Sequence, residues 1–370
     1  MKKLFFYKRS YILLLIPISF ALNLLARNNR YFAEEIYAKH VYKWISQPIS
    51  TLFGLVPFSI AEIIIFGFPV LCLLGILTFI IKMVNSRENR RKFLLKSILN
   101  VLCLVSVILF SYTLLAGINY YRATFSTYSN LEIKESTEDE LYALTRSLAI
   151  QANNLRDKTT GRDEDGVFQL SSSSYATAKL ADEAFTSLSE DYPVLGGSYA
   201  APKPVLLSKL MSYTEITGIF FPFTTEANVN TDIPDYNIPV TMLHELAHLR
   251  GFMREDEANF IAYLAGMKSE NADLQYSSTM LALVIAGNAL YDQNPDLYFK
   301  IREIYSEGVL KDIRANSAYW QKYDDTTVSA ISNNINDTYL KANAQEDGVK
   351  SYGRMLDLLL AKYRKEHVES

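Results

Sequence analysis

The chain has 370 residues, of which 49% are hydrophobic and 21% are charged, and its formal net charge is −3. It is apolar for a soluble protein and too polar for a protein wholly embedded in lipid. The slightly acidic balance gives no sign of a polyanionic partner, so nucleic-acid binding is excluded as a main function.

Three apolar runs near the N-terminus predict membrane helices. The runs cover about residues 11–26, 49–81 and 93–117. Each is long enough to cross a hydrocarbon core of ~30 Å, the first only just. We therefore predict transmembrane helices at about 10–26, 60–81 and 94–117. Pro48 and Pro57 interrupt the start of the second run, which predicts an interfacial segment ending at about Phe58, with Glu62 near the outer interface.

Basic residues flanking these runs predict the topology. A secretory signal peptide is the alternative for the first run, but no clean cleavage site follows it, so we favour an uncleaved anchor. The positive-inside rule places the basic N-terminus and the second connection in the cytoplasm. The basic residues concerned are Lys2, Lys3, Lys8 and Arg9, and then Lys82, Arg87, Arg90, Arg91, Lys92 and Lys96. The chain then divides into a membrane region, 1–119, and an extracytoplasmic domain, 120–370, anchored in the cytoplasmic membrane.

The exported region is predicted to form a mainly helical domain with a small β element. Both cysteines, Cys72 and Cys103, fall in the apolar runs, so the domain has no disulfide framework and no thiolate nucleophile. Thr137 and Glu140 form a capping box that opens a helix to about Asn154. Further helices are predicted at about 174–189 and 203–213, and short strands at 219–221 and 227–230.

The most specific motif is His244-Glu245-Leu246-Ala247-His248. Positions i and i+4 share one face of a helix, so His244 and His248 can reach one metal ion. Glu245 lies where a carboxylate can deprotonate a water molecule at that metal. The chain has only 4 His, so chance is a poor explanation for the motif. The alternative is a surface helix with two solvated imidazoles.

A third ligand is expected soon after the motif. Gly251 is a plausible helix C-cap that lets the chain turn back. Arg254 stands where a metzincin has its third histidine, and an arginine cannot ligate zinc. The glutamates just beyond it, Glu255 and Glu257, are therefore the candidates.

The residues from Glu255 to Ala262 resemble the second metal helix of gluzincins such as thermolysin, where the pattern is Glu-x-x-x-Asp. This resemblance implies that Glu255 is the third zinc ligand and that Asn259 is the hydrogen-bond partner of a ligand imidazole. Asn259 departs from the pattern, since it can accept a hydrogen bond but brings no charge. Glu257 remains the rival ligand, because the gap after His248 is short.

The segment 217–266 is also similar to the core of a family of bacterial membrane proteins of unknown function, with three predicted spans and a zincin-like domain. The matching strings are GIFFPF, EANVN, DIP, HELAH and REDEAN. The resemblance implies N-terminal transmembrane helices followed by a zincin-like α+β domain with a metal site, and it names no substrate. In zincins, the strand beside the metal helix pairs with an extended peptide. Residues 219–221 have that predicted role, with ordinary packing as the alternative.

The C-terminal third is predicted to be helical. The apolar stretch 272–290 contains Ser277, Ser278 and Thr279, which favour a buried core helix over a fourth span. Tyr276 is a weak candidate for an oxyanion donor, and His367 is expected to be solvated. Polar helices are predicted at about 295–305, 308–323, 326–341 and 349–363.

The leading hypothesis is a membrane-anchored zinc metallopeptidase that acts on envelope proteins or peptides. His244, His248 and Glu255 would hold Zn²⁺, and Glu245 would act as general base. One alternative is an inactive zincin-fold module that binds or regulates in the envelope. Another is a structural or lipid-handling membrane protein with an accidental HELAH string. The cleavage specificity and the oligomeric state have no signal in the sequence.

Overall fold

The computed structural model describes residues 8–85, 90–324, 326–342 and 354–368. Lys2, Lys3, Arg87 and the start of the helix predicted at 349–363 lie outside these ranges. Three helical segments are long and apolar enough to cross a membrane: Lys8–Asn28, Ile60–Asn85 and Arg90–Leu115. The first is a 3₁₀ segment that continues into α1 (Leu15–Asn28), and the others are α3 and α4. The prediction of three apolar helices long enough to cross a membrane is confirmed.

The connection between the first two apolar helices is itself helical. It comprises a π-helical segment (Phe32–Val41) and α2 (Tyr42–Gly54). Helix α2 thus begins before the predicted interfacial segment and runs into it, and its Tyr42, Ser46 and Ser50 are buried. The Tyr42 hydroxyl donates to the Leu249 carbonyl, 3.0 Å away. This face of α2 therefore packs on the domain that follows α4.

Most elements of that domain are helices, and the capping box between Thr137 and Glu140 is confirmed. Helix α11, predicted as a core helix, is buried along most of its length and is not one of the membrane-capable helices of the described residues. The helices are α5 (Ser126–Ser129), α6 (Glu138–Lys158), α7 (Ser174–Asp191), α8 (Ser208–Tyr213), α9 (Asn237–Leu249), α10 (Glu255–Lys268), α11 (Ala272–Gln293), α12 (Pro295–Arg302), α13 (Glu307–Trp320), α14 (Thr327–Ala342) and α15 (Met355–Val368).

A small sheet of three strands lies beside α9. The strands are β1 (Lys203–Pro204), β2 (Gly218–Phe221) and β3 (Glu226–Val229), in the order β1-β3-β2. Strand β3 pairs parallel with β1 and antiparallel with β2. The predictions of strands near 219–221 and 227–230 are confirmed. Strand β3 is buried, whereas β2 forms an edge of the sheet and its four residues are partly exposed.

The helix predicted over 203–213 is wrong in its first half. Lys203 and Pro204 form β1, and the helix α8 begins only at Ser208. The physical reason is a distant contact, because the buried Lys203 ammonium pairs with the Glu226 carboxylate on β3. Pro204 disfavours a helical backbone at Lys203, and burial of this ion pair holds the extended backbone in place.

Candidate metal centre

The HELAH motif lies on α9, whose residues from Ile238 to Leu249 are buried except His244, which is partly exposed. The helix ends at Leu249, and Gly251, two residues later, has a φ of +85° and donates its amide to the His248 carbonyl. A Cβ at this position would also lie 3.1 Å from the Tyr42 ring. Glycine is therefore favoured both by its left-handed backbone and by close packing. The turn that follows leads directly into α10 at Glu255.

The structure brings His244, His248 and Glu255 together. The Oε2 atom of Glu255 lies 3.1 Å from His244 Nε2 and 3.7 Å from His248 Nε2. Candidate ligand atoms of the three residues all lie within 4.8 Å of one another. The two imidazole rings are perpendicular, with centroids 4.6 Å apart. Two nitrogens and one carboxylate oxygen around one point match a three-ligand zinc site with a fourth position left open.

The far side of each imidazole is hydrogen-bonded to an oxygen. His244 Nδ1 lies 2.8 Å from Asn259 Oδ1, and His248 Nδ1 lies 2.7 Å from the Phe252 carbonyl oxygen. An oxygen acceptor requires the proton to be on Nδ1, so each neutral ring presents its Nε2 lone pair to the Glu255 carboxylate. Lone pairs and a carboxylate repel one another unless a proton or a cation lies between them. The residues therefore fit a metal cation.

The pKa shifts of His248 and Glu255 indicate that the cluster favours a positive charge. Burial opposes protonation of His248, but the adjacent Glu255 carboxylate raises the pKa of the imidazole to about 9. Burial alone would raise the pKa of the Glu255 carboxyl. His248 and His244 lower this pKa by more, so that it lies below its usual value. Positive charge at His248 thus balances the charge of the carboxylate.

Glu245 lies beside this cluster and is buried. The Phe220 amide of β2 faces its carboxylate and favours the charged form, while Oε2 has no hydrogen-bond partner among the described residues. Burial raises the pKa of the Glu245 carboxyl. Buried carboxylate oxygens usually have partners, so an unpaired one indicates a ligand or water at this position. This is the position that a general base would need.

Gly218 permits this close approach of strand and base. A Cβ on Gly218 would lie 2.5 Å from Glu245 Oε1 and 2.7 Å from Thr241 Cγ2. Only glycine fits at such distances without a shift of its neighbours. The sequence contained no separate signal for this role, since Gly218 was visible only as part of the GIFFPF string. The Phe252 carbonyl was missed for a simpler reason, because a backbone acceptor has no sequence signature.

Glu257 does not join the cluster. Its carboxylate accepts a hydrogen bond from the Phe125 amide at 2.9 Å and lies 3.8 Å from the Arg254 guanidinium. Burial is the main reason that the pKa of Glu257 is raised, to about 7. On α10, Glu257 is two residues from Glu255 and therefore faces another direction. The geometry favours Glu255 over its rival.

Tyr276, the weak candidate for an oxyanion donor, is committed elsewhere. Its side chain is fully buried, and its hydroxyl donates to Asp312 at 2.6 Å. His367 lies on α15, and its side chain is exposed, as expected. Neither residue takes part in the cluster of His244, His248 and Glu255.

Comparison with known proteins gives one match. A family model described as "Protein of unknown function (DUF3810)" matches residues 37–360. The match includes α3, α4 and the cluster on α9 and α10, and it begins after α1. Searches among curated proteins and among solved structures found no match.

Proposed function

The chain belongs to the DUF3810 family, and from its candidate centre we propose that it is a membrane-anchored zinc metallopeptidase. One observation carries the proposal. The Nε2 atoms of His244 and His248 converge on Glu255 Oε2, at 3.1 and 3.7 Å. On the other side of each ring, Nδ1 is hydrogen-bonded to an oxygen atom. Together with the neighbouring Glu245, this arrangement resembles a gluzincin centre, and a zincin-like fold for the domain is part of the proposal.

His244, His248 and Glu255 would hold the zinc. A zinc ion there would supply Lewis-acid polarisation of a peptide carbonyl and would make a water molecule more acidic. Asn259 and the Phe252 carbonyl keep the imidazoles in the tautomer and orientation that ligation needs. A three-residue ligand set leaves room for a reactant, as catalytic zinc sites do.

Glu245 is the proton carrier of the proposed reaction. Its carboxylate takes a proton from the attacking water and gives it to the amine nitrogen of the leaving peptide. Gly218 of β2 lies close to Oε1 of this carboxylate, and Oε2 has no hydrogen-bond partner among the described residues. Strand β2 is the outer strand of the sheet, so an extended substrate peptide can pair with its edge.

The proposed topology places the domain outside the cytoplasmic membrane. It rests on the basic residues near the connection of α3 to α4 and on the three apolar helices. A reporter fused after Ser370 should be active outside the membrane, and one fused near Glu88 should be active in the cytoplasm. A C-terminus found in the cytoplasm would change the substrate class.

The test uses full-length protein purified in detergent. The wild type should carry about one zinc per chain and should cleave a mixed-sequence fluorogenic peptide library. Glu245→Gln should retain the zinc and lose turnover, whereas His244→Ala should lose both. The matched control is His367→Ala, which removes an exposed imidazole outside the cluster. Zinc without turnover in the wild type would favour the inactive-module alternative, and full zinc occupancy in His244→Ala would end the metallopeptidase hypothesis.

A further inference from the structure

The sheet beside the candidate centre is fastened to the first turn of the apolar helix α3. The Glu226 carboxylate on β3 accepts hydrogen bonds from the Ile60 amide at 3.2 Å and the Ala61 amide at 2.8 Å. The buried Lys203 ammonium pairs with the same carboxylate and donates to the Phe58 carbonyl at 3.1 Å. A charged cap of this kind satisfies the open amides at a helix N-terminus. The first turn of α3 and strand β3 are thus one rigid unit.

The strand pair β3–β2 connects the start of α3 to Glu245, the candidate base. Glu226 lies opposite Phe221 in the antiparallel register of β3 and β2. In the same strand, the Phe220 amide faces the Glu245 carboxylate, and an added Cβ on Gly218 would lie 2.5 Å from Glu245 Oε1. Because neighbouring strands lie about 4.8 Å apart, the candidate centre is close to the level at which α3 begins.

The end of α4 contacts the centre from another side. Met253, in the turn between the two candidate metal helices, is in a buried cluster with Ala116 and Tyr120, just after α4. Tyr112, from the last turn of α4, and Phe220 pack against this cluster. The start of one membrane-capable helix and the end of another therefore both adjoin the candidate centre.

An exposed apolar surface surrounds the start of α3, and we call it the apolar collar. Part of it precedes α3 in sequence, and part is held there because the Glu62 carboxylate accepts the amides of Leu206 and Leu207, at 3.1 and 2.7 Å. Leu55 and Leu206 are 76% and 74% exposed, too much for ordinary core leucines. The collar consists of Leu52, Leu55, Phe58, Leu206, Leu207 and Leu210.

We propose that the apolar collar inserts into the boundary between lipid headgroups and acyl chains, and that the candidate centre therefore acts on membrane-anchored chains, at segments next to the bilayer. The occupant of the collar follows from continuity, since the collar adjoins the first turn of α3, and most apolar side chains of α3 from Ile63 onward are themselves exposed. Exposed apolar surface next to a membrane helix is more stable in contact with lipid than in contact with water. The substrate class rests on the proposed function, whereas the insertion of the collar does not.

The collar is tested with tryptophan fluorescence in nanodiscs that contain brominated phosphatidylcholine. The chain has two tryptophans, so Trp44→Phe with Trp320→Phe gives a silent background. Leu207→Trp in this background should be strongly quenched by the brominated lipid. The control is Ile150→Trp, at an exposed position of α6, a helix that packs on α11 and α13. Equal, weak quenching at both positions would overturn the insertion of the collar.

The substrate class is tested with two acylated forms of one fluorogenic peptide library in the same nanodiscs. One form has a linker of about 5 residues, which reaches at most ~18 Å, and the other has a linker of about 25 residues. Both have the same surface concentration, so only the height of the cleavable segment differs. The short-linker library should be cut at least as fast as the long-linker library.

The outcomes separate the two proposals. A short-linker library that resists cleavage while the long-linker library is cut would overturn the inference and leave the peptidase intact. Cleavage of neither form, nor of free peptides, by zinc-loaded protein would overturn the proposed function and the substrate class with it. The quenching result would then still decide whether the collar is in the lipid. Glu245→Gln is the blank for turnover.

Discussion

Two buried charge clusters in the domain contain similar residue types, but they differ in whether their polar atoms have hydrogen-bond partners. The first joins α6 to α13, where Asp312 accepts hydrogen bonds from the Arg156 guanidinium, the Tyr276 hydroxyl and the Phe168 amide. The remaining Arg156 donors reach Thr159 and the Gly166 carbonyl. In the second, at the candidate centre, imidazole lone pairs face a carboxylate and Glu245 Oε2 has no partner among the described residues.

The difference shows how to distinguish a structural charge cluster from a candidate site. A cluster in which every donor and acceptor is matched has no place for a ligand, and it contributes to one well-defined packing. A cluster with a surplus of acceptors is incomplete until a cation or a water molecule joins it. Burial of charge is common to both, so the hydrogen-bond inventory separates them.

The largest expected effect is on the complete cluster. Arg156→Met should leave Asp312 buried without its counter-charge and should destabilise the protein by about 3–5 kcal/mol. Thermal unfolding of EDTA-treated protein in nanodiscs measures the loss without a contribution from metal. The zinc content of the folded fraction should be unchanged. A stability close to that of the wild type would mean that this cluster is not the structural one.

The incomplete cluster should behave in the opposite way. His248→Ala should abolish zinc binding and should change the stability of the metal-free protein less than Arg156→Met does. In the wild type, zinc at about 100 times its dissociation constant should add about 2.7 kcal/mol, and EDTA should remove it. In the variant, zinc and EDTA should have no effect on unfolding. A zinc-dependent stabilisation that survives in the variant would place the metal elsewhere.

Two glutamates of α10 differ in whether they belong to the incomplete cluster. Glu255→Gln removes a carboxylate from the cluster of acceptors and should greatly weaken zinc binding. Glu257→Gln is the matched control, because that carboxylate is already engaged by the Phe125 amide and Arg254. Zinc titration of the two variants decides between them. Weak binding in Glu257→Gln with normal binding in Glu255→Gln would reverse the assignment.

The smallest expected effect concerns the residue behind the first imidazole. Asn259→Ala leaves His244 Nδ1 without its oxygen acceptor, so the ring loses its fixed tautomer and orientation. Such outer partners contribute about 10- to 100-fold to metal affinity or activity. Asn259→Asp keeps the acceptor, adds charge, and should bind zinc at least as well as the wild type. Unchanged affinity in Asn259→Ala would show that the hydrogen bond does not orient the ligand.

Local patterns in the sequence predicted much of this arrangement. The HELAH spacing, the capping box at Thr137 and the glycine at 251 act within a few residues, and their structural consequences are local as well. The resemblance of the segment after Glu255 to a gluzincin helix identified Asn259, whose side chain lies 2.8 Å from His244. These features depend on helix geometry, which one chain segment determines by itself.

Distant contacts are the part that the sequence did not reveal. Strand β1 exists because Lys203 pairs with Glu226, and both residues join the first turn of α3. No periodic pattern connects residues so far apart in the chain. The sequence did not reveal the role of Gly218 for the same reason. The side chains that restrict this position belong to α9, which follows β2 in the chain.

Zinc K-edge X-ray absorption on the full-length protein identifies the atoms that bind the metal. We predict about one zinc per chain in a shell of nitrogen and oxygen only, with two imidazoles and distances of about 2.0–2.2 Å. His248→Ala should remove this signal. A protein without zinc after metal loading would contradict the account. So would a sulfur shell, which would place the metal at Cys72 or Cys103 in the apolar helices.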